Sequence, residues 1–244
     1  MTASGKTRFD NQPAFVLHSY PFRETSLVAE VFTRAHGRMG LVARGARRPR
    51  SALRGLLLAF QPLQLSWSGK TELRTLMRAE WVGGVPQLSG LSLMCGFYLN
   101  ELLLKLLHRD DPHERLFAAY SETLQALGGN RDQGAVLRAF EKSLLKELGY
   151  AVTLDRDAET GQPIEARVRY TYLVERGPVR SANGADPRNG VELNGQTLLD
   201  MAADNYTDMV TMNEAKLLMR TLINHYLGDQ ILHSRQLLRD LQQL

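Results

Sequence analysis

Between Ala14 and Trp81 the sequence is written in period two. The segments AFVLHSY (14–20), SLVAEVFT (26–33), RMGLVARG (38–45), FQPLQLSWSG (60–69) and ELRTLMRAEW (72–81) are short and rich in β-branched and aromatic residues. Leu27, Ala29, Val31 and Thr33 alternate with Val28, Glu30 and Phe32, and Leu63, Leu65 and Trp67 alternate with Gln64 and Ser66. Successive side chains of a strand point to opposite faces, so this pattern predicts strands with one face in a core. It predicts a compact all-β domain.

Between the third and fourth segments lies SALRGLLLAF, long enough for one or two helical turns. Five strands with an insertion after the third is the ground plan of an OB-fold barrel, here expected to close over Val16, Leu27, Val31, Leu41, Leu63, Leu65 and Leu76. After Pro86 the period changes to that of helices. In residues 88–108 Leu91, Met94, Cys95, Tyr98, Leu102 and Leu106 recur at three-to-four spacing. A second helix is expected from about Pro112 to Leu127, capped by Asp111, and a third from about Asp132 to Leu148, ended by Gly149. Residues 150–195 are polar and turn-rich, and helices resume near 195–203, 212–227 and 233–241. The expected organisation is a tail (1–12), a barrel (13–85) and an all-α domain (86–244) carrying an irregular or β insertion at about 150–195.

Charge divides along the same boundary. Residues 1–85 carry 13 Lys and Arg against 5 Asp and Glu, a net of +8, while the remainder carries 17 against 21, a net of −4. The excess is concentrated in RAHGRMGLVARGARRPRSALR (34–54), which holds seven arginines, and no acid occurs between Glu30 and Glu72. Guanidinium stays charged at any working pH, and its planar fork matches phosphate oxygens two at a time. A solubilising loop or a charge-blunted sheet edge would also hold arginines, but seven exceed what solubility asks. Gly45 and Pro49 break the third strand, so the cluster is expected on a loop leaving a rigid sheet. The DNA-binding candidates are Arg38, Arg44, Arg47, Arg48, Arg50 and Arg54, with Arg34, Lys70, Arg74 and Arg78 on nearby strands or rims. Most of the aromatic residues Tyr20, Phe22, Phe32, Phe60, Trp67 and Trp81 are expected in the core, leaving phosphate contacts dominant.

Enzymatic and metal-binding patterns are sparse. One cysteine, Cys95, excludes a disulfide framework and a Cys-based zinc site, and its apolar helical setting suggests a buried small hydrophobe. Gly69-Lys70-Thr71 and Gly5-Lys6-Thr7 lack the preceding residues of a phosphate loop. His108-Arg109-Asp110 copies three letters of a kinase catalytic loop, but Arg115 stands where asparagine belongs. His108, Asp110, Asp111 and His113 suit a helix end and the next cap, with a metal-dependent nuclease as the alternative. No catalytic residue, metal or cofactor is expected. With no apolar window of membrane-spanning or signal length, a soluble cytoplasmic protein near the nucleoid is expected.

The segments AFVLHSYPFRETSLVAEVFTRAHGRMGLVARGARRPRSALRG, LLLAFQPLQL, LSGLSLMCGFYLNELLLKLL, LRAFEKSLLKELGY and HYLGDQILHSRQLL together resemble the bacterial RecO family of DNA repair proteins, across about residues 13–240. The resemblance implies a non-catalytic recombination mediator. Such a protein binds single- and double-stranded DNA, anneals complementary strands, engages the acidic C-terminal tail of the single-strand-binding protein SSB, and with RecR helps load RecA. It also implies an N-terminal OB-fold and a helical C-terminal domain. On that basis the SSB tail is expected at Leu137, Arg138, Lys142 and Leu145, near Phe140, with Arg220 and Arg235 as alternatives. Some family members carry a four-cysteine zinc site in the C-terminal domain. This chain has no cysteine there, so residues 156–175 must be held in another way.

Overall fold

The computed structural model describes residues 7–129, 131–150, 152–181 and 190–241. Contacts gather the chain into two compact units, residues 1–129 with 232–244, and residues 130–231.

In the first unit, strands β1 (Arg8–Phe22), β2 (Ser26–Thr33), β3 (Gly37–Ala43), β4 (Pro62–Ser68) and β5 (Leu73–Trp81) form a closed barrel in the order β1-β2-β3-β5-β4, with β3 and β5 parallel. A short helix, α1 (Leu53–Leu56), lies between β3 and β4. The barrel encloses Val16, Val31, Leu41, Leu63, Leu65 and Leu76, with Leu27 packed against them. The alternating positions named from the sequence thus form the core.

Two departures have clear causes. β1 begins at Arg8, inside the polar stretch that reads as a tail. Arg8 and Phe9 pair with Ser68 and Trp67, a bulge follows, and Asn11 takes a left-handed φ of 49° there. One ring, Phe9 stacked on Trp67 at 5.4 Å, anchors an otherwise polar strand end, too little to register as alternation. The second departure is that the helices α2 (Gly90–Leu106) and α3 (Glu114–Gly128) belong to the same compact unit as the barrel. Phe15 of β1 and Phe32 of β2 are fully buried against Phe117 and Tyr120 of α3, and the Asn100 side chain of α2 donates to the Leu17 carbonyl at 2.8 Å. β1 and β2 are therefore covered on both faces, which is why β2 reads as nearly continuous apolar text. On α2, Leu91 is exposed and Leu99 and Leu103 are buried. The helix is apolar almost all round, so spacing alone does not select its inner face.

The C-terminal helix α7 (His233–Leu241) also belongs to this unit. Its N-terminus is capped from α2, where the Glu101 carboxylate accepts from the amides of His233 and Ser234 at 2.9 Å and from the Ser234 hydroxyl at 2.6 Å. Burial opposes the charge on Glu101, but these donors and Lys105 outweigh it and hold its pKa below the ordinary value. Glu101→Ala is expected to cost about 1–2 kcal/mol through loss of the cap. Hydrogen exchange of the first turn of α7 should speed accordingly, with the barrel amides unchanged.

The second unit holds α4 (Gln133–Glu147), a sheet in the order β7-β6-β8, and helices α5 (Gly195–Ala202) and α6 (Met209–Leu227). Its strands β6 (Arg169–Leu173), β7 (Gly177–Arg180) and β8 (Val191–Asn194) are antiparallel and lie within the stretch expected to be irregular or β. Asp132 caps α4 by accepting from the Ala135 amide, and Gly149 follows it with φ +81°, as the sequence predicts.

The loop ahead of β6 is organised by one carboxylate. Asp157 is buried; its Oδ1 accepts from the amides of Glu159 and Thr160 at 2.8 and 2.9 Å, and its Oδ2 from the Arg180 amide at 2.9 Å. The Asp157 amide donates to Gln162, and the Ala158 amide donates to Pro178. This supplies the fastening that residues 156–175 require. Zinc does not fit here: no cysteine is present, both Asp157 oxygens are committed to amides, and no group of three His, Cys, Asp or Glu side chains is placed to hold a metal among the described residues.

Candidate nucleic-acid interface

β3 ends at Ala43, and the chain then descends through consecutive turns rather than a loose loop. The amides of Ala46, Arg48, Ser51 and Arg54 donate to the carbonyls of Ala43, Gly45, Arg48 and Ser51. Gly45, at φ +69°, makes the first reversal, a conformation that costs a side-chain-bearing residue. Ala46 is completely buried in the barrel core and roots the segment. The arginines of the sequence GARRPR thus stand on a fixed pedestal.

Opposite them is the β1–β2 turn. An open cleft of about 600 Å³ lies between, lined by Phe22, Arg23, Val42, Arg44, Arg48 and Thr75 among others. Among the described residues no carboxylate lies within ion-pair distance of Arg23, Arg44, Arg47, Arg48, Arg50, Arg54 or Lys70, and all of these are exposed. A mouth with several cations that no carboxylate among the described residues pairs concentrates positive potential and draws polyanions.

The other candidates are placed differently. Arg38 points to Glu30, a carboxylate only 5% exposed on β2, at 3.3 Å, and its Nε donates to the Leu107 carbonyl. Arg109 pairs with the same Glu30, and the Asp110 amide donates to the Arg38 carbonyl at 2.9 Å. Burial lowers the pKa of Arg38 and Glu30 opposes it. Arg74 pairs with Asp110 at 2.7 Å, and Arg78 pairs with Glu80. Arg34 is exposed and lies 3.6 Å from Glu114. Arg38 and Arg74 are therefore occupied in docking residues 107–111 on the barrel. Gly37 permits this close approach: a Cβ there would fall 2.0 Å from the Asp111 carbonyl oxygen.

That docking also accounts for the His/Asp cluster. Arg109 and Asp110 make the pairs just given, Asp111 lies 3.3 Å from His113, and α3 starts at Glu114 rather than at a cap on Asp111. Among the described residues the 108–113 stretch forms no metal-holding group.

In the second unit, the candidate partner residues share α4. Arg138 is buried and pairs with Glu141 at 2.6 Å, while Lys142 donates to the Met201 carbonyl and pairs with Asp204, each at 2.7 Å. Leu145 is buried and Leu137 half-buried; Arg220 is exposed on α6. In the first unit, Arg235 lies over the Tyr98 ring at 5.2 Å and donates to its hydroxyl.

The sequence reading missed Arg23. It stands eleven residues before the basic run and beside Glu24, so no charge window marks it. Strand order would have: in consecutive antiparallel strands the β1–β2 turn and the exit of β3 lie at the same end, as the pairing Leu27↔Ala43 shows.

The fold and its cleft define a five-stranded barrel protein with a basic face, joined to helices and a small sheet. Its sequence matches the family described as Recombination protein O N terminal over residues 8–85 and Recombination protein O C terminal over residues 87–236. Over 239 residues it is 58% identical to the DNA repair protein RecO of Nitrosospira multiformis, covering 98% of each chain. It is 54% identical to that of Aromatoleum aromaticum over 241 residues, covering 99% of this chain and all of the relative. The chain belongs to the RecO family, and its place is in DNA repair and recombination. No helix among the described residues is long and apolar enough to cross a membrane.

Proposed function

We propose that the barrel is an OB-fold whose basic cleft holds the phosphate backbone of single- and double-stranded DNA, and that the protein uses it to anneal complementary strands as a recombination mediator. The supporting observation is the carboxylate-free set Arg23, Arg44, Arg48, Arg50 and Arg54 around the cleft and its pedestal. Backbone contacts suit annealing, because two strands must be neutralised while their base edges stay free to pair. The role in this reading is binding and pairing of strands rather than cleavage.

Family membership extends the reading to partners. The acidic tail of SSB docks on α4 at Leu137, Arg138, Lys142 and Leu145, where its carboxylate competes with Glu141 for Arg138; with RecR the protein assists RecA loading on SSB-coated DNA. Residues 13–85 act as the nucleic-acid module and the remainder as the partner-binding part.

The test is annealing of complementary oligonucleotides, bare and SSB-coated, by wild type and by Arg44→Ala/Arg48→Ala/Arg50→Ala. Loss of annealing with intact secondary structure is expected, and no strand scission with Mg²⁺ or Mn²⁺. Undiminished annealing would move the DNA surface off the barrel, and metal-dependent scission would overturn the mediator reading.

A further inference from the structure

One wall of the cleft is the β1–β2 turn and the other the segment that leaves β3, and Arg47 joins them. Its amide donates to the Thr25 carbonyl at 2.9 Å, and its Nη1 donates to the carbonyls of Arg23 and Glu24 at 3.3 and 3.2 Å. These are backbone oxygens of the β1–β2 turn, in which Arg23 takes a left-handed φ of 53°. Such a conformation in a residue with a long side chain persists where its surroundings impose it. Arg23 in turn lies over the Phe22 ring, its Cζ 5.2 Å from the centroid, and it lines the cleft without a carboxylate partner among the described residues.

We propose that Arg23 is a phosphate-binding residue of the cleft and that Arg47, for all its exposure, is a positioning residue that holds Arg23 in place. One nitrogen of Arg47 serves both turn carbonyls, so swinging its fork to a phosphate gives up both bonds. Arg44 and Arg48 carry no such duty and stay available on the opposite wall. The clamp rests on reading the cleft as the phosphate surface.

A labelled oligothymidylate titrated across salt concentrations separates the roles. One phosphate contact on a single strand contributes about 0.7 to the log–log salt slope, or about fivefold in affinity at 0.1 M salt. Arg23→Ala is expected to lose that much. Arg47→Ala is expected to lose no more, and the double variant to match Arg23→Ala alone, because the clamp has nothing left to position. A double variant weaker by about 25-fold, with about 1.4 lost from the slope, would make Arg47 an independent phosphate contact and overturn the proposal.

A second readout needs no DNA. Trypsin cleavage after Arg23 in the full-length protein should be faster in Arg47→Ala than in wild type; an unchanged rate would overturn the clamp. Wild-type affinity in both Arg44→Ala and Arg48→Ala would sink the cleft reading and with it the role of Arg23, while the cleavage rate would still decide whether Arg47 fastens the turn.

Discussion

Asp157→Ala is expected to lower the stability of the second unit by about 3 kcal/mol, since three amide donors lose their acceptor at no less than about 1 kcal/mol each. For a unit of this size that is roughly 10–20 °C in melting temperature, read by differential scanning calorimetry. Asp157→Asn should cost less. Its single oxygen keeps the bonds from Glu159 and Thr160 and presents an NH₂ to the Arg180 amide, so only one of the three is lost and opposed. Equal damage from both variants would mean that the charge, and not the bonds, fastens the loop.

The pH dependence follows from the same group. Burial raises the pKa of Asp157, but the amides of Thr160, Glu159 and Arg180 outweigh it and leave the folded value below that of an ordinary aspartate. A depressed folded pKa contributes stability that is complete above the unfolded value and disappears as pH falls through the folded one. The wild-type melting temperature should therefore hold steady down to about pH 5 and drop steeply below pH 4. In Asp157→Asn that portion of the acid sensitivity should be missing.

The second large effect concerns DNA. Arg44→Ala/Arg48→Ala/Arg50→Ala is expected to weaken oligothymidylate binding about 100-fold at 0.1 M salt and to flatten the log–log slope by about 2, three contacts at about 0.7 each. Because no carboxylate among the described residues partners these side chains, their removal exposes no buried charge and should leave the stability within about 0.5 kcal/mol of wild type. The contrasting control is Arg38→Ala, which leaves the buried Glu30 with Arg109 as its remaining partner and should act through stability. A triple variant with unchanged slope would show that the basic loop does not meet phosphate.

The barrel was legible because its signal is local. Leu63 and Leu65 declare themselves by alternation with their immediate neighbours, and Val16, Leu27, Val31, Leu41 and Leu76 by their places in short apolar segments at strand spacing. The cleft was half legible for the opposite reason. Clustering in sequence reveals Arg44, Arg48 and Arg50, but whether an arginine is free depends on acids and carbonyls brought up from elsewhere. Arg38 and Arg74 are occupied by Glu30 and Asp110, and Arg47 by the carbonyls of residues 23 and 24. Arg23 joins the site only because the β1–β2 turn and the exit of β3 lie at the same end of the barrel. The cap expected at Asp111 failed likewise, since nothing in its neighbourhood announces that residues 107–111 lie along β3. Asp157 is a similar case: a lone aspartate in polar text gives no sign that three amides will converge on it.

The return of α7 to the barrel's unit has a mechanical meaning. The chain leaves that unit after residue 129 and re-enters at 232, so residues 130–231 are an insertion with both ends fixed in one body. Tension applied between the barrel's first strand and the last helix enters and leaves through the first unit. The inserted unit lies on a bypass and bears load only after α7 has been pulled from α2, which makes the hydrogen bonds received by Glu101, with that from Arg235 to Tyr98, the fuse of the molecule.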